Sequence, residues 1–149
     1  MAIVNEKVIE TLNNLIETCE DGREGFTTAA EGIGKDELKA LFKGYAEQRA
    51  HFAAELQAEV LRLGGDPEDE GSASAALHRG WMNLKSALTG EDDAAIISEC
   101  ERGEDAAVKN YQEALAESLP ADVRAAIERQ FGQVREAHER VRALEKAGA

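Results

Sequence analysis

Five residues of this 149-residue chain carry reactive or charged side chains at helical positions where an apolar residue belongs: Cys19, Arg49, Cys100, Glu104 and His138. Two thiolates and an imidazole are soft ligands suited to zinc or iron, and Glu20 or Glu101, each next to a cysteine, would supply a fourth. The ligand spacing matches no local zinc motif. The two cysteines could instead form a redox pair. Arg49 and Glu104 point to different chemistry. A lone charge in a dry core is costly, so the two are expected to pair, with Tyr45 and Tyr111 as hydrogen-bond neighbours. Alternatively, the planar fork of Arg49 suits a small anionic ligand, a carboxylate or a phosphate. Each feature also has a plain structural reading. Buried cysteine is a small apolar filler, a histidine on an apolar face is a hydrogen-bonded core residue, and an ion pair fixes helix register. No Ser/His/Asp set, Gly-rich phosphate loop or nucleotide fingerprint occurs, and His51 and His78 read as lesser, solvated positions.

The elements that must position these residues are legible as stripes with steps of three and four. The first is Val4, Val8, Leu12, Leu15, Cys19, Gly22, Phe26, Ala29 and Ile33, and Gly32 and Gly34 are expected to end it through the left-handed cap conformation. A second helix is predicted from about Lys35 to Leu63, with Leu38, Leu41/Phe42, Tyr45, Arg49, Phe52, Leu56, Val60 and Leu63 inward. Gly64-Gly65-Asp66-Pro67 stops it. A shorter helix carries Leu77, Trp81, Leu84 and Leu88, with Trp81 expected on an exposed contact face. A third long helix begins near Glu91, with Asp92 and Asp93 at its positive end, and runs through Ile97, Cys100, Glu104, Ala107/Val108, Tyr111, Leu115 and Ser118. Pro120 suits the first turn of the fourth, whose stripe is Val123, Ile127, Phe131, Val134, His138, Val141 and Leu144.

Tight turn, long crossover, tight turn is the pattern of an all-α, ferritin-like four-helix bundle, two hairpins joined by a crossover that holds a short helix. It forms a single domain over residues 1–149. The segment I-x-x-C-E-x-G occurs at Ile16–Gly22 and again at Ile97–Gly103, an internal echo of the two hairpins. If helices one and four run one way and two and three the other, Arg49 and Glu104 share the midplane. Cys19, Cys100 and His138 then fall roughly 3–7 Å to one side at ~1.5 Å per residue.

Composition agrees with a helical chain. There are 26 alanines, two prolines and only 5% aromatic residues, and 43% of the chain is hydrophobic, enough for a core. The formal charge of −13 repels nucleic acid and anionic lipid surfaces. No apolar run reaches the ~20 residues of a membrane span, and the N-terminus does not resemble a signal peptide. Two cysteines are no secreted disulfide framework. A cytoplasmic protein is expected.

The runs Leu12–Phe26, Gln48–Gly65, His78–Thr89 and Glu99–Ala106 resemble a bacterial family of ferritin-like four-helix-bundle proteins classed only as a domain of unknown function. The resemblance covers nearly the whole chain and implies a bundle without implying an activity. Di-iron members of the wider superfamily carry a carboxylate on helices one and three and Glu-x-x-His on helices two and four. By that comparison Cys19 replaces the first carboxylate, Glu104 keeps the second, Arg49 and Phe52 stand for one Glu-x-x-His, and Arg135 and His138 for the other. The resemblance therefore implies that the usual dinuclear iron site is absent and that an Arg–Glu contact takes its place. The leading expectation is a non-catalytic bundle acting by association, as a dimer or larger homo-oligomer or with a protein partner, in a stress-related role and without a cofactor. The rivals are a metal-binding or thiol-redox protein using Cys19, Cys100, Glu104 and His138 with a single zinc or iron ion, and a binder of an anion at Arg49.

Overall fold

Helix α1 spans Ala2–Gly32, α2 Asp36–Arg62, α3 Asp93–Leu115 and α4 Ala121–Lys146. The structure, a computed structural model, describes residues 2–67, Trp81 and residues 92–148, with side chains from residue 5 onward. Among these residues there are four helices and no strand. The short helix expected around Leu77–Leu88 lies outside them apart from Trp81, as does the side chain of Val4.

Each boundary has a local cause. Asp92 caps α3, its carboxylate accepting from the Ala94 amide at 3.0 Å. Asp93 accepts from the Gly34 amide at 2.9 Å, tying the α1–α2 turn to the start of α3. Pro120 stands just before α4 as its cap residue, its ring fixing the entry angle. The left-handed glycines are Gly64, at φ 86° after α2, and Gly148, at φ 70° after α4. Gly32 and Gly34 are not left-handed, contrary to the sequence expectation, because Ile33 is drawn into the core and its amide still bonds back to Ala29 at 2.9 Å.

Direction follows from cross-helix pairings. Thr18 faces Asn110 while Gly34 faces Asp93, so α1 and α3 are antiparallel. Tyr111 meets Gln130 and Ser98 meets Glu145, so α3 and α4 are antiparallel. Gly22 lies over Arg49 and Lys39 reaches Ala30, so α1 and α2 are antiparallel. Hence α1 and α4 run one way, and α2 and α3 the other. Neighbours around the bundle are α1–α2, α1–α3, α3–α4 and, only slightly, α2–α4. Helices α2 and α3 therefore stand at opposite corners, as do α1 and α4.

The inward stripes make two core clusters. One holds Leu12, Ile16, Leu56, Val60 and Ile127; the other holds Phe26, Phe42, Ile96, Ile97 and Val141. Burying each such side chain contributes about 1.5–3 kcal/mol. Phe26 anchors the second cluster, its ring centroid 5.7 Å from Phe42, 5.3 Å from Tyr45 and 5.2 Å from Trp81.

Two expectations need correction here. Trp81 is not an exposed contact residue: it is 8% exposed, edge-on to Phe26 and seated against Gly25 and Gly103. A Cβ on Gly25 would lie 2.5 Å from the indole and one on Gly103 2.2 Å from it, so the absence of two side chains makes the slot. On α4 the buried stripe is Val123, Ile127, Gln130, Val134, Ala137 and Val141, with Phe131 and His138 only partly covered. The unbroken four–three alternation of that set carries it straight down the facing groove, one position from the apolar choice at Phe131.

Candidate functional site

Arg49 stands one turn before Phe52 on the inner face of α2, and Glu104 one turn after Cys100 on that of α3. Their side chains meet across the diagonal of the bundle. Arg49 Nη1 lies 2.7 Å from Glu104 Oε1, and Nη2 donates to Oε2 at 2.8 Å. Their side chains are 2% and 0% exposed. Gly22 on α1 leaves space for the guanidinium: a Cβ there would lie 3.2 Å from Nη1. The Phe26 ring faces the same group, 5.5 Å from its carbon, and Nε donates to Gln48 Oε1 at 3.3 Å. Burial pulls the Arg49 pKa down, but the charge and hydrogen bonds of Glu104 outweigh it and the net direction is up. Arg49 is therefore charged at every physiological pH.

A second polar run lies beside the pair. Gln130, on α4, has its carboxamide oriented by three neighbours: Nε2 donates to Glu55 Oε1 at 2.7 Å and to the Phe52 carbonyl at 3.4 Å, and Oε1 accepts from the Tyr111 hydroxyl at 2.7 Å. Tyr111 has one proton and gives it to Gln130, so in the 3.2 Å contact between Cys19 Sγ and Tyr111 Oη the thiol is the donor. Glu55 is held in turn by Arg129 at the surface, a hydrogen bond that lowers its pKa against partial burial. The run Cys19–Tyr111–Gln130–Glu55 thus visits α1, α3, α4 and α2 in order.

Burial pushes the Cys19 thiol from its ordinary 9.0 up to about 11. Burial also raises Cys100 and Tyr111 well above their usual values. All three are neutral in the folded chain, and their ordinary values return on unfolding. Below about pH 9 neither state ionises and the contribution to stability is complete. As pH rises from there through the folded values, the unfolded chain ionises first and stability falls. Chemical denaturation is expected to show a decreasing midpoint above about pH 9. In the native protein at about pH 8 neither thiol is expected to react with an aromatic disulfide, whereas both react once it is unfolded.

The structure brings some of the sequence-selected residues together and separates others. Cys19 packs in the core cluster with Tyr111, and Cys100 in the one with Phe26. Both are free thiols. By the pairing of α1 with α3 they lie on opposite sides of the Arg49–Glu104 level, about nine residues or ~13 Å apart along the bundle, beyond disulfide reach. His138 is not with them. Its Nε2 sits 3.2 Å from Glu101 Oε1 and 2.9 Å from Asp105 Oδ1 on the outer side of α3. Glu20 bonds Arg23 at 2.8 Å, and Tyr45 is half-buried against Phe26, where burial raises its pKa. Arg135 is exposed, stacked over Phe131 at 5.8 Å, because the inward α4 positions fall on its neighbours Val134 and Ala137. It contributes no charge to the centre, although the family comparison set it at a metal-ligand position.

These residues do not fit a dinuclear iron centre. The Glu104 carboxylate is in contact with the Arg49 guanidinium through both oxygens, and a neutral thiol, Cys19, and an apolar ring, Phe52, stand at positions where ligands would be needed. Sequence reasoning missed Gln130, Glu55 and Asp105. The four–three stripe of α4 is the signal for Gln130, and the i, i+4 spacing of Glu101 and Asp105 is the signal for the third.

In comparison with known proteins, no curated protein matches the chain. A family profile does, over residues 7–117, which run from the first turns of α1 through the end of α3 and include Cys19, Arg49, Cys100 and Glu104. The chain belongs to the family described as Domain of unknown function (DUF2383).

Proposed function

We propose that this protein is a ferritin-like bundle that works by association, as a homodimer, rather than by catalysis at its centre. The observation that carries this reading is the diagonal Arg49–Glu104 pair. It fills the middle of the bundle with a guanidinium and a carboxylate in direct contact, Nη2 donating to Oε2 and Nη1 2.7 Å from Oε1, where a bundle enzyme of this kind needs free carboxylates. It also weighs against the anion-binding alternative, since both terminal nitrogens of Arg49 are taken by Glu104. The thiol-based metal or redox alternative is weakened by the separation of Cys19 from Cys100 and of both from His138.

The α2–α4 face supports association. The backbones of these two helices stand apart, bridged by side-chain pairs such as Glu55–Arg129 and Gln48–Gln133, and between them lies a groove of about 820 Å³ that includes Gly44, His51, Phe52 and Gln133. A glycine inside a helix costs about 1 kcal/mol relative to alanine. Gly22, Gly25 and Gly103 have reasons within the chain, namely Arg49 and Trp81. Gly44 and Gly132 have none: a Cβ on either meets nothing within 4 Å. Both are exposed, on α2 and α4, and close approach of a second copy would explain them.

Sedimentation equilibrium of the full chain tests this. The wild type is expected to be a dimer and Gly44→Glu a monomer with unchanged helix content. A wild type that stays monomeric at every concentration overturns the reading. Gly44→Ala is expected to weaken the dimer while stabilising the isolated chain by about 1 kcal/mol.

A further inference from the structure

Outside the centre, three side chains from two helices converge on the α3–α4 groove. Glu101 and Asp105 are one helical turn apart on α3, so they share a face. His138 reaches them from α4. One candidate ligand atom from each, a carboxylate oxygen or the ring nitrogen, lies within 4.8 Å of the other two. The imidazole is anchored, its side chain 14% exposed, and that of Glu101 is 20% exposed, while Asp105 at 64% opens the cluster to solvent.

The contacts are unbalanced as they stand. Both carboxylates close on the same ring nitrogen, Nε2, at 3.2 and 2.9 Å. A ring nitrogen carries at most one proton, and two anions compete for it. A divalent cation placed between the three atoms would satisfy two carboxylates and one imidazole together, and small side-chain rotations would bring the oxygens and nitrogen to the ~2.0–2.2 Å of zinc coordination. The overall charge of −13 raises the local concentration of cations.

We propose that Glu101, Asp105 and His138 form a binding site for a first-row divalent metal ion such as zinc, with solvent completing the coordination. The nitrogen ligand favours such an ion over magnesium or calcium, which take oxygen ligands. This site is distinct from the bundle centre and uses neither cysteine, so it stands independently of the dimer. It is open on the solvent side through Asp105, as a site that keeps one exchangeable position is.

Titration of metal-free protein with zinc against a chromophoric chelator, followed by cobalt substitution, tests the site. One ion per chain is expected. Asp105→Asn and His138→Ala are each expected to bind at least about tenfold more weakly, and the Cys19→Ala/Cys100→Ala double variant to bind as the wild type. The cobalt form is expected to show visible ligand-field bands without a thiolate-to-cobalt band. Asp105 is exposed, so Asp105→Asn retains its fold and its result is read directly. Wild-type affinity in Asp105→Asn, loss of binding in the cysteine variant, a thiolate band or no binding by the wild type would each overturn the proposal.

Discussion

The Glu104→Gln variant is expected to melt roughly 10–15 °C below the wild type. The change removes a charge and almost no volume, but it leaves the Arg49 guanidinium buried among Gly22, Phe26 and the opposite helix with no anion. Breaking one side of a buried pair costs about 3–5 kcal/mol, and for a chain of this length each kcal/mol moves the midpoint by about 2–4 °C. The reverse experiment separates pairing from charge alone. Arg49→Met combined with Glu104→Gln removes the stranded cation and fills its space, and is expected to recover most of the loss, since a buried ion pair replaced by apolar groups of similar volume is often neutral or better. Thermal melts of the single and double variants give the coupling directly. A Glu104→Gln melt within about 2 °C of the wild type would mean that the guanidinium reaches water with little penalty, and the buried pair would be refuted.

Gly103→Ala is the second large effect. A methyl group at this position would occupy space now held by the Trp81 ring, at 2.2 Å from its Cε2. The indole is too rigid to yield and is hemmed on its other side by Gly25 and Phe26, so it must leave the slot. The loss approaches that of deleting a buried tryptophan, about 3–5 kcal/mol, and exceeds by far the ~1 kcal/mol helix-propensity gain of alanine. Trp81 is the sole tryptophan, so its emission reports the event without interference. The emission maximum is expected to shift to the red as the ring meets water, alongside a lower melting temperature. A blue, wild-type-like spectrum from Gly103→Ala would place the ring elsewhere.

Much of this arrangement was legible from residue spacing, and the failures have physical causes. The α1 stripe from Val8 to Ile33 is buried as read, although α1 also buries Thr11, Ile16, Thr18, Gly25 and Ala30 beside it, because it packs against both α2 and α3. Arg49 and Glu104 were found by the same logic: a charge on an inward stripe needs an opposite charge at its own level. The α4 stripe was misread by one position because Phe131 is apolar and Gln130 is polar. Burial of Gln130 depends on acceptors and donors from two other helices, Tyr111 and Glu55, which no local pattern contains. Trp81 was misplaced for a related reason, since its slot is made of absent side chains on α1 and α3. The echo between Ile16–Gly22 and Ile97–Gly103 proves informative here. Each copy ends in a glycine that admits one large side chain, Arg49 in the first and Trp81 in the second.

The run of hydrogen bonds from Cys19 to Glu55 bears on where this chain could be cut. The family match ends at residue 117, yet Gln130, which accepts the Tyr111 proton and steadies Glu55, lies beyond it on α4. A fragment ending there would strip Tyr111 of its acceptor and lay bare the apolar surface that Val134, Ala137 and Val141 now cover. The matched segment alone is therefore expected to show lower helix content than the whole chain by circular dichroism, and expression boundaries for this protein belong after the last helix.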